Sequence, residues 1–218
     1  MQRGKLITIE GLDGAGKTTL SAQLAHSIQA AGVERLEVLR EPGGVAISER
    51  IRELVKDPGL RVNVRAEALL YAAARAQLVD ERLEPLLAGG AWVLLDRFVD
   101  SSLAYQGSGR ELGLEQVRVI NLFATGGLVP DRTLLLRIAP QTGRRRQGVR
   151  GEEPDRLERE DERFFQRIAA AYDGLAEEQP QRIRTLDAER EPALVLAQAL
   201  EAIADLLPVA GAERPTNI

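Results

Sequence analysis

Short apolar runs alternate with longer apolar stripes along this chain. Lys5 to Glu10 ("KLITIE") is short and β-branched, the pattern of a buried strand. Lys17 to Ala31 sets Leu20, Leu24 and Ile28 four apart, one apolar face of a helix that Gly32 ends. "LEVLR" (36–40), "AWVLLD" (91–96), "RTLLLRI" (132–138) and "RIRTLD" (182–187) read as further strands. Helix patterns cover Val45 to Val55, Arg65 to Leu87, Ser101 to Tyr105 and Glu115 to Thr125. A charged stretch then runs to Arg163, followed by a helix to Glu178 and a last one beyond Asp187. Strands alternating with helices predict an α/β fold, a five-stranded parallel sheet with helices on both faces. In such sheets ligands gather beyond the carboxyl ends of the strands. The chemically unusual residues do follow strands, at 11–18, 40–44, 96–106 and 140–156. With no repeat or linker in between, residues 1–207 form one expected domain, and 208–218 ("PVAGAERPTNI") an expected flexible tail.

Composition narrows the chemistry. The chain has 218 residues, 44% hydrophobic and 28% charged, the balance of a soluble globular protein. A net charge of -4 gives no general pull toward nucleic acid or membranes, so an anion site must be a local concentration of cations. Without cysteine there are no disulfides and no thiolate ligands. No stretch reads as a signal peptide or a membrane span, and a cytoplasmic location is expected. His26 stands alone on the first helix, and Trp92 opens a strand; both read as packing or surface residues.

"GLDGAGKTT" (11–19) supplies the concentration of positive charge. Gly11, Gly16, Lys17 and Thr18 satisfy G-x-x-x-x-G-K-[ST] between a strand and a helix, the context that makes this phosphate loop believable. Backbone N–H groups of Gly11, Leu12, Asp13, Gly14, Ala15, Gly16, Lys17, Thr18 and Thr19 are expected to turn around the phosphates of a nucleoside triphosphate, helped by the helix N-terminus. Lys17 would reach the outer phosphates, and the Thr18 hydroxyl is placed for Mg²⁺. Asp96, at a strand end, is a second candidate holder of the ion. Asp13 would repel phosphate, so it is expected to aim at a neutral or proton-giving group of a second substrate. "YAAARAQ" (71–77) puts Tyr71 and Arg75 on one helix face, a ring and a guanidinium suited to a flat base. "GRRRQGVRGEEPDRLERE" (143–160) is broken by glycine and dense in arginine, the make-up of a mobile flap over phosphates. The run 144–146 has no interleaved aromatic residue, so no nucleic-acid partner is expected.

"EGLDGAGKTT", "REPGG", "YAAARAQ", "DRFVDSSLAYQGSGR" and "PDRTLLLRI", in this order from about Lys5 to Asp187, resemble bacterial thymidylate kinase. The resemblance implies the P-loop NTPase fold, ATP and dTMP as substrates, Mg²⁺ and a homodimer. Carried onto matching positions, Tyr71 stacks on thymine, Arg75 donates to its O4, and Ser102 and Gln106 contact the base. Tyr105 packs under the sugar, Asp13 accepts from its 3′-OH, Arg97 holds the monophosphate, and Glu41 and Pro42 shape its pocket. Position 14, where one branch of the family has a catalytic arginine, is Gly here, while Arg144, Arg145, Arg146 and Arg150 populate the lid, about 141–156. The chain therefore matches the lid-arginine type, with Arg146 and Arg150 aligned best. Gln141 and Gly148 depart from the usual lid pattern. Lys17, Asp13, Arg97, Arg146 and Arg150 are the expected catalytic set. A kinase of another nucleoside monophosphate and a regulatory nucleotide-binding module remain alternatives.

Overall fold

The computed structural model describes residues 3–148 and 153–208. Five strands, β1 (Leu6–Gly11), β2 (Leu36–Arg40), β3 (Trp92–Asp96), β4 (Arg132–Arg137) and β5 (Ile183–Asp187), lie in the order β2-β3-β1-β4-β5. Every neighbouring pair is parallel. β1 is buried at all six positions because helices cover both faces of the sheet, which is why its sequence reads as a continuous apolar run and not an alternation. The expected sheet is thus the observed one. Pairing of Ile9 with Asp96 in the register of β1 and β3 sets the start of the phosphate loop beside the loop that follows β3.

The helices follow the sequence pattern with instructive exceptions. α1 (Lys17–Ala30) begins straight out of the phosphate loop, α2 is Ala46–Lys56 and α3 is Val64–Leu78. The stripe predicted to run unbroken from Arg65 to Leu87 passes through a π-helical turn, Val79–Leu83, before α4 (Glu84–Ala88). α5 (Val99–Ser102) likewise opens into a π-helical segment, Leu103–Gly109, that carries Tyr105 and Gln106. Such wide turns re-aim side chains and are frequent at functional sites. α6 is Leu114–Thr125, α8 is Glu162–Glu178 and α9 is Pro192–Ala202.

The arginine-rich stretch departs most from expectation. Instead of a glycine-broken loop, residues Pro140–Gly148 form a helix, α7. Its first turn sits on the phosphate loop, where a Cβ on Gly14 (φ +82°) would lie 2.4 Å from the Gly143 carbonyl oxygen, and one on Gly143 would lie 2.7 Å from that of Asp13. Backbone meets backbone there, and only glycine allows it. Arg150 and all of the expected tail but Pro208 lie outside the described residues.

Candidate active site

The phosphate loop leaves β1 at Gly11 and enters α1 at Gly16, whose φ of +96° is a left-handed turn that glycine accepts without strain. Lys17 folds back across it, donating to the carbonyls of Gly11 (3.2 Å) and Leu12 (3.0 Å), with Asp13 Oδ1 at 3.6 Å. Burial and the nearby Arg97 lower the Lys17 pKa, against the pull of Asp13, Asp96 and Glu10.

Asp13 points away from the loop's interior. Arg97 Nη2 donates to its Oδ1 at 2.5 Å and the Tyr105 hydroxyl donates to its Oδ2 at 3.1 Å. Burial pushes its carboxyl pKa up, but the charges of Arg97 and Lys17 and the two hydrogen bonds outweigh that and hold it well below the usual carboxylate range. Arg97 adopts φ +71°, an unusual conformation for a side-chain-bearing residue. It is kept there because its N–H donates to the Ile9 carbonyl (3.0 Å) and its guanidinium is fixed by Asp13, by Ser101 Oγ (3.1 Å) and over the Tyr105 ring (4.9 Å).

These residues open onto a cavity of about 260 Å³ that also takes in Thr18, Glu41, Pro42, Tyr71, Arg75, Asp96, Ser102 and Gln106. The structure therefore brings together every residue that the sequence analysis assigned to the acceptor. Arg75, 2% exposed, is tied down: it donates to Glu41 Oε2, Ser102 Oγ, the Phe98 carbonyl and Asn121 Oδ1. Its Nη2 also lies 2.6 Å from Glu41 Oε2, an ion pair sealed on both sides. Glu41 is joined to Pro42 by a cis peptide bond. Arg40 and Arg52 also line the cavity, and Arg52 Nη1 donates to the Pro42 carbonyl (3.0 Å). Arg52 did not stand out in the sequence, where it is an ordinary arginine of a polar helix, and Arg40 did so only as the start of "REPGG".

A second cavity of about 370 Å³ lies on the other side of the same loop, lined by Gly14, Ala15, Gly16, Thr19, Arg146 and the stretch from Ala188 to Pro192. Arg146 reaches it by donating to the Ala188 carbonyl (3.0 Å). Arg144 turns the other way, over the Phe165 ring (5.2 Å) with a bond to the Glu160 carbonyl (2.7 Å). Arg146 thus lines this second cavity, whereas Arg144 does not. A wider groove of about 710 Å³ runs between β4, β5 and α8, but Asp173, Asp187 and Glu189 line it and its Arg137 is paired with Asp173. Its charge does not suit phosphate.

Behind Arg97 lies a buried acid that sequence reading missed. Glu10 accepts from the Phe98 N–H (2.7 Å), Ser101 Oγ (2.5 Å) and the Tyr172 hydroxyl (3.0 Å). Burial first, and then Asp100, push its pKa up to about 7. The available signal was a carboxylate ending an otherwise apolar strand.

Comparison with known proteins identifies the family. Residues 9–199 match the family model described as thymidylate kinase. The chain belongs to the thymidylate kinase family. It is 44% identical over 211 residues to the thymidylate kinase of Halorhodospira halophila, covering 96% of this chain and 98% of that one. With the thymidylate kinase of Oenococcus oeni the identity is 48%, covering 95% and 98%. The crystal structure of thymidylate kinase from Ehrlichia chaffeensis superposes with a TM-score of 0.75 at 25% identity, covering 93% of this chain and 99% of that one. The fold is therefore that of the P-loop NTPases, and the activity class is ATP-dependent phosphoryl transfer.

Proposed function

We propose that this chain, as one catalytic unit over 1–207, transfers the γ-phosphoryl group of ATP to dTMP. One observation carries the reading: the phosphate loop lies between two cavities, giving Asp13, Lys17 and Thr18 to one and Gly14, Ala15, Gly16 and Thr19 to the other. ATP fills the second, its base toward the stretch after Ala188, and dTMP fills the first. The two nucleotides then meet end to end at Lys17.

Phosphoryl transfer asks mainly for an in-line acceptor oxygen and neutralised charge. The dTMP phosphate is already anionic near neutral pH, so no general base is needed. Lys17, Arg97 and Arg146 bring cations from three directions, and Arg150 of the lid (141–156), outside the described residues, is assigned to the same catalytic set. Tyr71 stacks on thymine, Ser102 and Gln106 meet its edge with Arg75 behind, and Glu41 and Pro42 shape the monophosphate end. Tyr105 lies under the sugar, excluding a ribose 2′-OH, and Asp13 accepts from the 3′-OH. Asp96 Oδ1 is buried without a hydrogen-bond partner among the described residues, and Thr18 lines the same cavity as Asp96. Hard oxygen donors beside a phosphate loop fit Mg²⁺. Thr18 and Asp96 would hold the ion, which when bound supplies further positive charge to the phosphates.

The partner surface fits a homodimer. Leu69 of α3 and Val119, Leu122 and Phe123 of α6 stand exposed on two helices that pack together, Phe123 at 91%. A patch of this kind on a protein with no helix, among the described residues, long and apolar enough to cross a membrane marks a protein interface. We place the dimer in the cytoplasm.

A panel of nucleoside monophosphates with MgATP, read as ADP formed, tests the reading. dTMP should be turned over best. dUMP, lacking a methyl that fills an apolar gap, should lose about 1–3 kcal/mol of transition-state binding. dCMP, which sets an amino group against a donor, should be rejected by about 10⁴. Equal turnover of dCMP and dTMP would overturn the assignment.

A further inference from the structure

Glu67, on α3, has no part in the roles above, yet it is fully buried at the edge of the base pocket. Its Oε1 accepts from Gln106 Nε2 at 3.0 Å. Arg110 lies against both its oxygens (3.3 and 3.2 Å), and Arg156 Nη1 sits 2.6 Å from Oε2. Both arginines are themselves anchored. Arg110 is paired with Glu160 (2.5 Å) and lies over the Phe164 ring (4.9 Å), while Arg156 Nε donates to the Val55 carbonyl (3.0 Å). The carboxylate therefore has a fixed place and a fixed sign.

A primary amide is nearly symmetric in shape, and either end of Gln106 fits its space. What breaks the symmetry is the neighbour. A carboxylate between two guanidiniums only accepts, so Gln106 must turn its NH₂ toward Glu67 and its oxygen the other way. Gln106 lines the dTMP cavity, and its Oε1 has no protein partner among the described residues and is not one of the polar atoms sealed from solvent. Four residues earlier on the same helical segment, Ser102 Oγ already accepts from Arg75 (2.9 Å), which leaves its own proton to donate. The pocket edge thus offers a donor and then an acceptor. That is the complement of a ring carbonyl followed by a ring N–H, as in thymine and uracil. Cytosine presents the reverse, an amino group followed by a ring lone pair.

We infer that Glu67 is a positioning residue for base selection: by fixing the Gln106 amide it makes the pocket accept a ring N–H and reject a ring lone pair. The inference rests on the dTMP reading above and deepens it. Without the carboxylate, Gln106 turns over and offers NH₂ to the cytosine ring nitrogen.

The test uses the full-length protein and kcat/KM for dTMP, dCMP and dUMP. In Glu67→Gln the residue at 67 faces either end of the Gln106 amide, so the preference for dTMP over dCMP should fall at least about tenfold, the worth of one buried hydrogen-bond mismatch. The preference for dTMP over dUMP should not move, because the methyl group is read elsewhere. A double exchange, Glu67→Gln with Gln106→Glu, returns a carboxylate to the arginine cluster and shows only acceptor oxygens to the base; discrimination against dCMP should return. An unchanged dTMP-to-dCMP ratio in Glu67→Gln overturns the inference. So does a parallel loss of both preferences, which is what mere loosening of the pocket produces. Should Glu67→Gln fail to fold, the double exchange decides: restored discrimination supports the inference and indiscriminate turnover overturns it. A wild-type protein that does not separate dTMP from dCMP sinks the dTMP reading itself, before any variant is compared.

Discussion

Two carboxylates at the start of the phosphate loop behave in opposite ways, and their surroundings explain why. Asp13 is held ionised by Arg97 and Lys17 despite its burial, whereas Glu10, one strand-end earlier, has its pKa pushed up to about 7 by burial and by Asp100. Asp13→Asn removes the charge that fixes Arg97 and should lower kcat/KM for dTMP by about 10–100-fold, the worth of a hydrogen bond to a charged group. For Glu10 the sign follows from linkage. Its folded pKa lies above its unfolded one, so its contribution to stability is fully present below about 4.5 and is lost as pH rises through about 7. Denaturant titrations at pH 5.5 and 8 should show wild type losing stability over that interval and Glu10→Gln losing less, by about 2 kcal/mol. Equal losses would mean that Glu10 does not titrate there. At this scale the sequence was legible where function sits in contiguous motifs: the phosphate loop, "YAAARAQ" and the loop after β3 converge on one cavity. Glu10 with Tyr172, and Glu67 with Arg110 and Arg156, were not legible, because each pairs residues remote along the chain and no local spacing announces it.

Among the elements, α7 departs furthest from its sequence. "PQTGRRRQG" has two glycines and no apolar stripe, so nothing intrinsic favours a helix. Contacts elsewhere supply the order: Gly143 on the loop backbone, Arg144 over Phe165, Arg146 on Ala188. The strands were legible for the opposite reason, since a strand buried on both faces must be apolar throughout. The π-helical turns were not, because one extra residue per turn hardly disturbs an apolar pattern. The placement of Arg146 gives a prediction for the lid. Arg146→Ala should lower kcat by about 10³-fold or more while leaving KM for dTMP nearly unchanged, since it lines the cavity proposed for ATP and not the one proposed for dTMP. Steady-state kinetics with varied dTMP at saturating MgATP checks this, and an unaffected kcat would move the role to Arg150.

For the molecule as a whole, the sheet presents its chemistry at one end and its apolar helix face at the side. Phe123→Lys places a charge at the most exposed apolar residue of that face; by sedimentation equilibrium the wild type should be a dimer, as proposed, and the variant a monomer. A dimer unaffected by the charge would put the interface elsewhere. The bare contact of Gly14 with Gly143 has a wider consequence. Swapping the two family designs is not a matter of relocating one arginine, because any side chain at 14 would collide with the lid's first turn. Loop and lid have to be exchanged together, and a graft of either half alone should yield an enzyme that binds its nucleotides and cannot close over them.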